Sequence, residues 1–176
     1  MFFTKRKAVL IIIISLIFFF LTYQDVKSSE ISSVTGYAKV TDGDTLKIET
    51  FKIRLHGIDA PEKKQQCKKP YLTIVMFTFY EDYSCGQKST EALIKKINNK
   101  KITCKISDID YFKRLIGECY KRKTNLNAWL VSNGHAVAFR KYSKKYVPEE
   151  ILAKQEKRGI WQGKFEMPWD YRKSQK

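Results

Sequence analysis

The chain has 176 residues, of which 43% are hydrophobic, 14% aromatic and 30% charged, a balance that excludes a disordered polymer and allows one domain with a real core. Its formal net charge is +16; residues 1–29 hold Lys5, Arg6, Lys7 and Lys27 against Asp25, so +13 stays on the remainder. A surplus of that size repels itself in a compact fold and points to a polyanionic partner, nucleic acid first and an anionic membrane surface second.

Lys5-Arg6-Lys7 precede an uncharged apolar run from Ala8 to Leu21. A spanning helix needs roughly 20 residues, so the run reads as the core of a signal peptide or, with Thr22 and Tyr23, as a short membrane anchor. Basic residues before it place the rest of the chain outside the cytoplasm: secreted, periplasmic or membrane-anchored facing outward. Residues 1–29 are therefore read as an export segment with its linker, and residues 30–176 as the domain.

Val34 to Val40 is a candidate strand, followed by turn chemistry in Thr41-Asp42-Gly43-Asp44. Thr45–Ile48 and Phe51–His56 alternate, and if Ile53 and Leu55 face a core, Arg54 lies on the opposite face. Gly57 to Glu62 leaves that strand as a loop. The segment 63–85 contains ten uncharged residues, Tyr71 to Tyr80, and reads as an extra strand or a packed loop; beside the basic surface it also raises a membrane-contact reading. A helix is expected over 86–97. Lys101–Ile106 and Arg114–Tyr120 alternate and form a hairpin around the turn 108–113. A second helix fits 125–133, its stripe Leu126, Trp129, Leu130 ending before Gly134. A third begins at Pro148, with Glu149 and Glu150 at its positive end, and stops at Gly159. The aromatic tail from Ile160 to Trp169 is expected to pack back on the domain. Strands first and helices after them give an α+β fold on an antiparallel barrel.

An exported domain with four cysteines, Cys67, Cys85, Cys104 and Cys119, is expected to hold two disulfides. The hairpin puts Cys104 opposite Cys119 on its inner face, which favours that pair and leaves Cys67–Cys85 to staple the long loop.

Phosphodiester cleavage needs cations for the phosphate, a group to position and deprotonate water, and usually a hard metal ion. Asp44 and Asp59 are hard oxygen donors, Glu62 stands where it can serve a water, and Arg54 and Arg114 carry planar forks suited to phosphate. Singly, each is an ordinary turn or surface residue. Together, the order Asp42-Gly43-Asp44-Thr45, Arg54-Leu55-x-Gly57-Ile58-Asp59-Ala60-Pro61-Glu62, Asp110-Tyr111-Phe112-Lys113-Arg114 and Asn127-Ala128-x-Leu130-Val131-x-x-Gly134 resembles the thermonuclease, or staphylococcal nuclease, family. The resemblance runs from about Val34 to Trp169, and the endings Gly159-Ile160-Trp161 and Pro168-Trp169-x-x-Arg172 look like its exported bacterial members.

That resemblance implies a five-stranded OB-type barrel with three helices and Ca²⁺ as cofactor. It implies that Asp44, Asp59 and the backbone carbonyl of Ala60 hold the metal, that Arg54 and Arg114 bind phosphate and that Glu62 serves the attacking water. DNA and/or RNA would be cut at the 5′ P–O bond, leaving 3′-phosphate ends. Lys113, Arg140 and Tyr142 are expected to contact nucleic acid, within a basic stretch interleaved with aromatics. The chain departs from the family at Phe112-Lys113, where the turn before the second arginine often has Tyr-Gly. A monomer is expected, tethered to a membrane if the N-terminal segment stays attached. An exported nucleic-acid-binding OB module without catalysis is the alternative, which the presence of all five charged positions disfavours.

Overall fold

A computed structural model describes residues 31–175; the expected export segment lies outside them. In chain order the elements are β1 (Ser33–Asp42), β2 (Thr45–Ile48), β3 (Phe51–Leu55), β4 (Ile58–Asp59), β5 (Cys67–Ile74), β6 (Phe77–Tyr83), α1 (Cys85–Ile97), β7 (Lys101–Ile109), β8 (Leu115–Lys121), β9 (Thr124–Asn125), α2 (Leu126–Ser132), β10 (Val137–Ala138), α3 (Val147–Gln155), a 3₁₀ turn Gly159–Gln162 and α4 (Pro168–Ser174).

Strand β1 pairs with β2 on one side and β7 on the other, β2 with β3, and β7 with β8, all antiparallel. Strand β3 then pairs with β8, closing five strands into a barrel. This closing pair is parallel, where the alternating sequence suggests antiparallel strands throughout. Closure follows from the period-two pattern. Leu46 and Ile48, Ile53 and Leu55, Ile102 and Cys104, and Leu115 and Cys119 all point inward and are buried. Cys104 and Cys119 face each other in register and are bridged, as expected.

Helix α1 packs Leu93 and Ile97 onto this core and ends where Asn98 turns left-handed and donates its N–H to the Ile94 carbonyl. Asn125 caps α2, its side chain accepting the Ala128 N–H. Pro148 stands in the first turn of α3 with Glu149 and Glu150 beside it. The family resemblance implied three helices; α4 is a fourth, and the tail does pack back. Ile160, Trp161, Phe165, Met167 and Trp169 form a second core with Cys67, Cys85 and Val137. The segment 63–85 is neither one extra strand nor a packed loop but a separate two-stranded hairpin, β5–β6, stapled at its base by the second expected disulfide, Cys67–Cys85. Among the described residues no helix is long and apolar enough to cross a membrane.

The β7–β8 turn closes without a glycine. Lys113 takes φ 59°, its N–H donates to the Asp110 carbonyl at 2.9 Å, and the Arg114 N–H donates to Asp110 Oδ1 at 2.9 Å. A left-handed lysine costs on the order of 1 kcal/mol. Lys113→Gly is therefore expected to stabilise the domain by about 1 kcal/mol, read as a rise in the midpoint of thermal or urea unfolding.

Candidate active site

Two short turns and one strand bring the acidic groups together. Gly43 lets the β1–β2 turn lie against the neighbouring chain: a Cβ there would stand 2.7 Å from Ala60 Cβ and collide with the Ser89 hydroxyl. Asp44, next in sequence, turns its carboxylate inward and is buried. Its Oδ2 accepts the Ala60 N–H at 2.8 Å, and its Oδ1 accepts from the Thr45 hydroxyl at 3.1 Å and from Arg54 Nη1 at 2.5 Å. Asp59 lies on β4, held by pairing with Val137 of β10, and is fully buried. Its Oδ1 accepts from Arg54 Nη2 at 2.7 Å. Arg54 projects from β3 opposite Ile53 and Leu55, as alternation predicts, so one guanidinium spans both aspartates.

Glu62 is positioned by residues that carry no signal of their own in the sequence. Gly86, at the start of α1, touches the loop so closely that any Cβ would collide with the Glu62 carbonyl. Gln65 is fully buried; its N–H donates to the Glu62 carbonyl at 2.7 Å, its Oε1 accepts the Glu62 N–H at 3.1 Å, and its Nε2 donates to the Glu166 carbonyl at 2.7 Å. One amide thus ties the loop to the C-terminal tail. That tail delivers Arg172, on α4, whose Nη2 reaches Asp59 Oδ2 at 2.8 Å while Nη1 reaches Glu62 Oε1 at 2.8 Å and Asp59 Oδ1 at 3.0 Å. The Pro168-Trp169 pair that opens α4 is visible in the sequence; that its helix aims an arginine at carboxylates more than 100 positions earlier is not.

The charges are nearly balanced in low-dielectric surroundings. Burial pushes Asp44 up to about 7, helped by Asp42 and Asp59 and opposed by Arg54 and the Ala60 N–H. A carboxyl raised in the fold stabilises it at low pH and loses that contribution as pH climbs through about 7. Burial opposes the charge of Arg54 and Arg172, yet the carboxylates outweigh it and both are held more firmly protonated than a free arginine.

Arg114 enters from the other side. Its Nε donates to Asp110 Oδ2 at 2.7 Å and its guanidinium lies 5.6 Å from the Phe112 ring centre. Arg54, Glu62, Arg114, Phe139, Tyr142 and Arg172 line one cleft of about 980 Å³. Tyr142 lies across Phe139, which in turn stacks on Trp169. Lys113 is an exposed turn residue. Arg140 instead pairs with buried Glu150 at 2.5 Å, beside Lys154, and so braces α3. Among the described residues no group of three or more acidic, histidine or cysteine side chains is arranged to hold a metal. Asp44 and Asp59 are nonetheless buried hard-oxygen donors of the kind a divalent cation takes.

The family model described as staphylococcal nuclease homologue matches residues 52–163. A probable staphylococcal-like nuclease, CAN3, of Oryza sativa subsp. japonica is 33% identical over 145 residues, 80% of this chain and 34% of the relative. An uncharacterized endonuclease of Escherichia coli is 30% identical, covering 77% of this chain and 83% of its own length. The succinoglycan biosynthesis protein ExoI of Rhizobium meliloti is 31% identical, covering 76% and 67%. The chain spans about a third of the length of the rice relatives CAN3 and CAN2. The chain belongs to the staphylococcal nuclease homologue family.

Proposed function

We propose that this chain is a calcium-dependent nuclease that hydrolyses phosphodiester bonds of DNA and/or RNA, attacking phosphorus with water, breaking the 5′ P–O bond and leaving 3′-phosphate ends. The observation that carries this reading is the convergence of Arg54, Arg114 and Glu62 on one cleft, with Arg54 bonded to buried Asp44 and Asp59. Arg54 and Arg114 are permanent cations able to take phosphate oxygens in pairs and to offset charge that grows on them in the transition state. Glu62, half-exposed and clamped through Gln65 and Gly86, receives the proton of the attacking water. Asp44, Asp59 and the Ala60 carbonyl would hold the cation, which when bound supplies Lewis-acid charge to phosphate and lowers the pKa of water. Tyr142, 63% exposed at the cleft, offers a ring for a base, and Lys113 adds a backbone contact; Arg140 serves the substrate only through charge, since Glu150 holds it. The two disulfides fit an oxidising, extracytoplasmic compartment. Export by residues 1–29, as a cleaved signal or a membrane tether, and a monomeric state complete the proposal.

Single-stranded DNA should be digested with calcium and not with excess chelator, and Glu62→Ser should lose about three orders of magnitude in turnover. Full activity of Glu62→Ser, or cleavage in chelator, contradicts the mechanism; tight DNA binding without cleavage in calcium would identify a binding module instead. Calcium must displace a proton from Asp44 below about pH 7, so affinity measured by calorimetry should fall roughly tenfold per unit below that point and level off above it. Arg172 occupies oxygens of Asp59 that a cation would need, and it also orients Glu62. Arg172→Ala is therefore expected to bind calcium about tenfold more tightly while turnover at saturating calcium falls, on the order of tenfold or more; calorimetry and steady-state kinetics read the two effects separately.

A further inference from the structure

The β5–β6 hairpin stands outside the barrel as a sheet of its own. Its base is rigid: Cys67 is bonded to Cys85 at the head of α1, and Lys68 exchanges two backbone hydrogen bonds with Lys164, at 2.8 and 3.0 Å. From Pro70 to Tyr80 it carries no charge. Leu72 pairs with Phe79 and Ile74 with Phe77, giving one apolar face, while Thr73 and Thr78 meet on the other. At the tip Val75, Met76 and Phe77 are 90%, 83% and 71% exposed. Water is a poor solvent for that surface, and no described residue covers it.

The turn itself argues that an apolar tip is required. Val75 and Met76 form the two-residue connection between Ile74 and Phe77, and Val75 sits at φ 54°. Glycine or asparagine belongs at such a position, and a β-branched residue is strained there. Neither folding nor solubility accounts for valine at this place. Moving down the hairpin, Tyr71 and Tyr80 come next, with Lys164 Nζ 4.9 Å from the Tyr80 ring centre. Around the base stand Lys63, Lys64, Lys68, Lys69 and Lys164, of which Lys69 pairs with Glu81 at 2.8 Å and Lys68 with Asp82 at 3.0 Å.

Apolar tip, tyrosines, then lysines is the order of environments met on leaving a bilayer: acyl chains, interface, anionic headgroups. We propose that residues 67–83 form a membrane-docking hairpin that inserts Ile74–Phe77 into the surface of a bilayer containing anionic lipid. A protein groove could accept the apolar face, but it would leave Lys63, Lys64 and Lys164, which pair with no carboxylate among the described residues, unexplained, whereas anionic headgroups use both.

Both cores, the closed barrel and both disulfides lie within residues 32–176, so that segment holds everything its fold needs and can be tested with disulfides intact. The probes are phosphatidylcholine vesicles with and without phosphatidylglycerol, in a co-sedimentation assay. The informative variant is Val75→Gly with Met76→Asn: it leaves net charge unchanged and installs a pair suited to this turn, so the unfolding temperature should hold or rise. Expected is binding to the phosphatidylglycerol vesicles, weaker binding to phosphatidylcholine alone, and a loss of about tenfold or more in the variant. Equal binding by the variant would mean surface charge alone and overturn the proposal, as would no binding by the parent domain. Self-association that the variant disperses would make a second copy the occupant and overturn it too. Retained vesicle binding with weakened affinity for single-stranded DNA in the variant would assign the hairpin to substrate instead.

Discussion

One guanidinium organises this molecule. Arg54 spans two buried aspartates, one from the β1–β2 turn and one from β4, at 2.5 and 2.7 Å, and without it two negative charges would face each other away from water. Removing one partner from a buried, hydrogen-bonded charge pair costs several kcal/mol, far more than any surface ion pair contributes. The barrel exists around that requirement. Alternation on β3 sends Ile53 and Leu55 inward and Arg54 outward, the parallel pairing to β8 fixes the strand, and β4 is held by β10 so that Asp59 arrives opposite. A one-residue slip of β3 would bury the arginine in the core and expose two aliphatic side chains.

The same arrangement extends to the end of the chain. Arg172 repeats what Arg54 does, but from a helix joined to the second core, so the site draws on both hydrophobic clusters. Trp169 stacks on Phe139 with ring planes 8° apart, at the edge of the cleft Phe139 lines. Docking of α4 and the shape of the cleft are therefore linked, and Gln65 connects the Glu62 loop to the same tail. Asp44 carries the remaining imbalance, since burial raises it to about 7.

Local residues announce most of the fold. Period-two runs locate the barrel strands within a few positions, Asn125 and Pro148 mark helix starts, and opposing inner-face cysteines lead to both disulfide pairs, whereas α3 ends at Gln155, before the expected stop at Gly159, which instead opens the 3₁₀ turn. Three features escape because they depend on partners distant in sequence. The hairpin 67–83 has no alternation at its tip, and its valine turn lacks the glycine that would signal it. Arg172 enters the sequence reading only within the ending Pro168-Trp169-x-x-Arg172, without a role, since only tertiary packing brings α4 to Asp59. Arg140 is read from its basic and aromatic neighbours in sequence, which give no sign of its pairing with Glu150 on the next helix. Lys113 shows the reverse: a glycine is missing, yet the turn persists because the Asp110 hydrogen bonds outweigh a left-handed lysine.

The most direct test of Arg54's double role is mass spectrometry of the products that the wild type and Arg54→Ala release from a short single-stranded DNA in calcium. If Arg54 both holds the two aspartates and receives the phosphate, the wild type yields fragments with 3′-phosphate ends and the variant leaves the strand intact over the same period. Fragments ending in 3′-hydroxyl groups, or undiminished cleavage by Arg54→Ala, would contradict it.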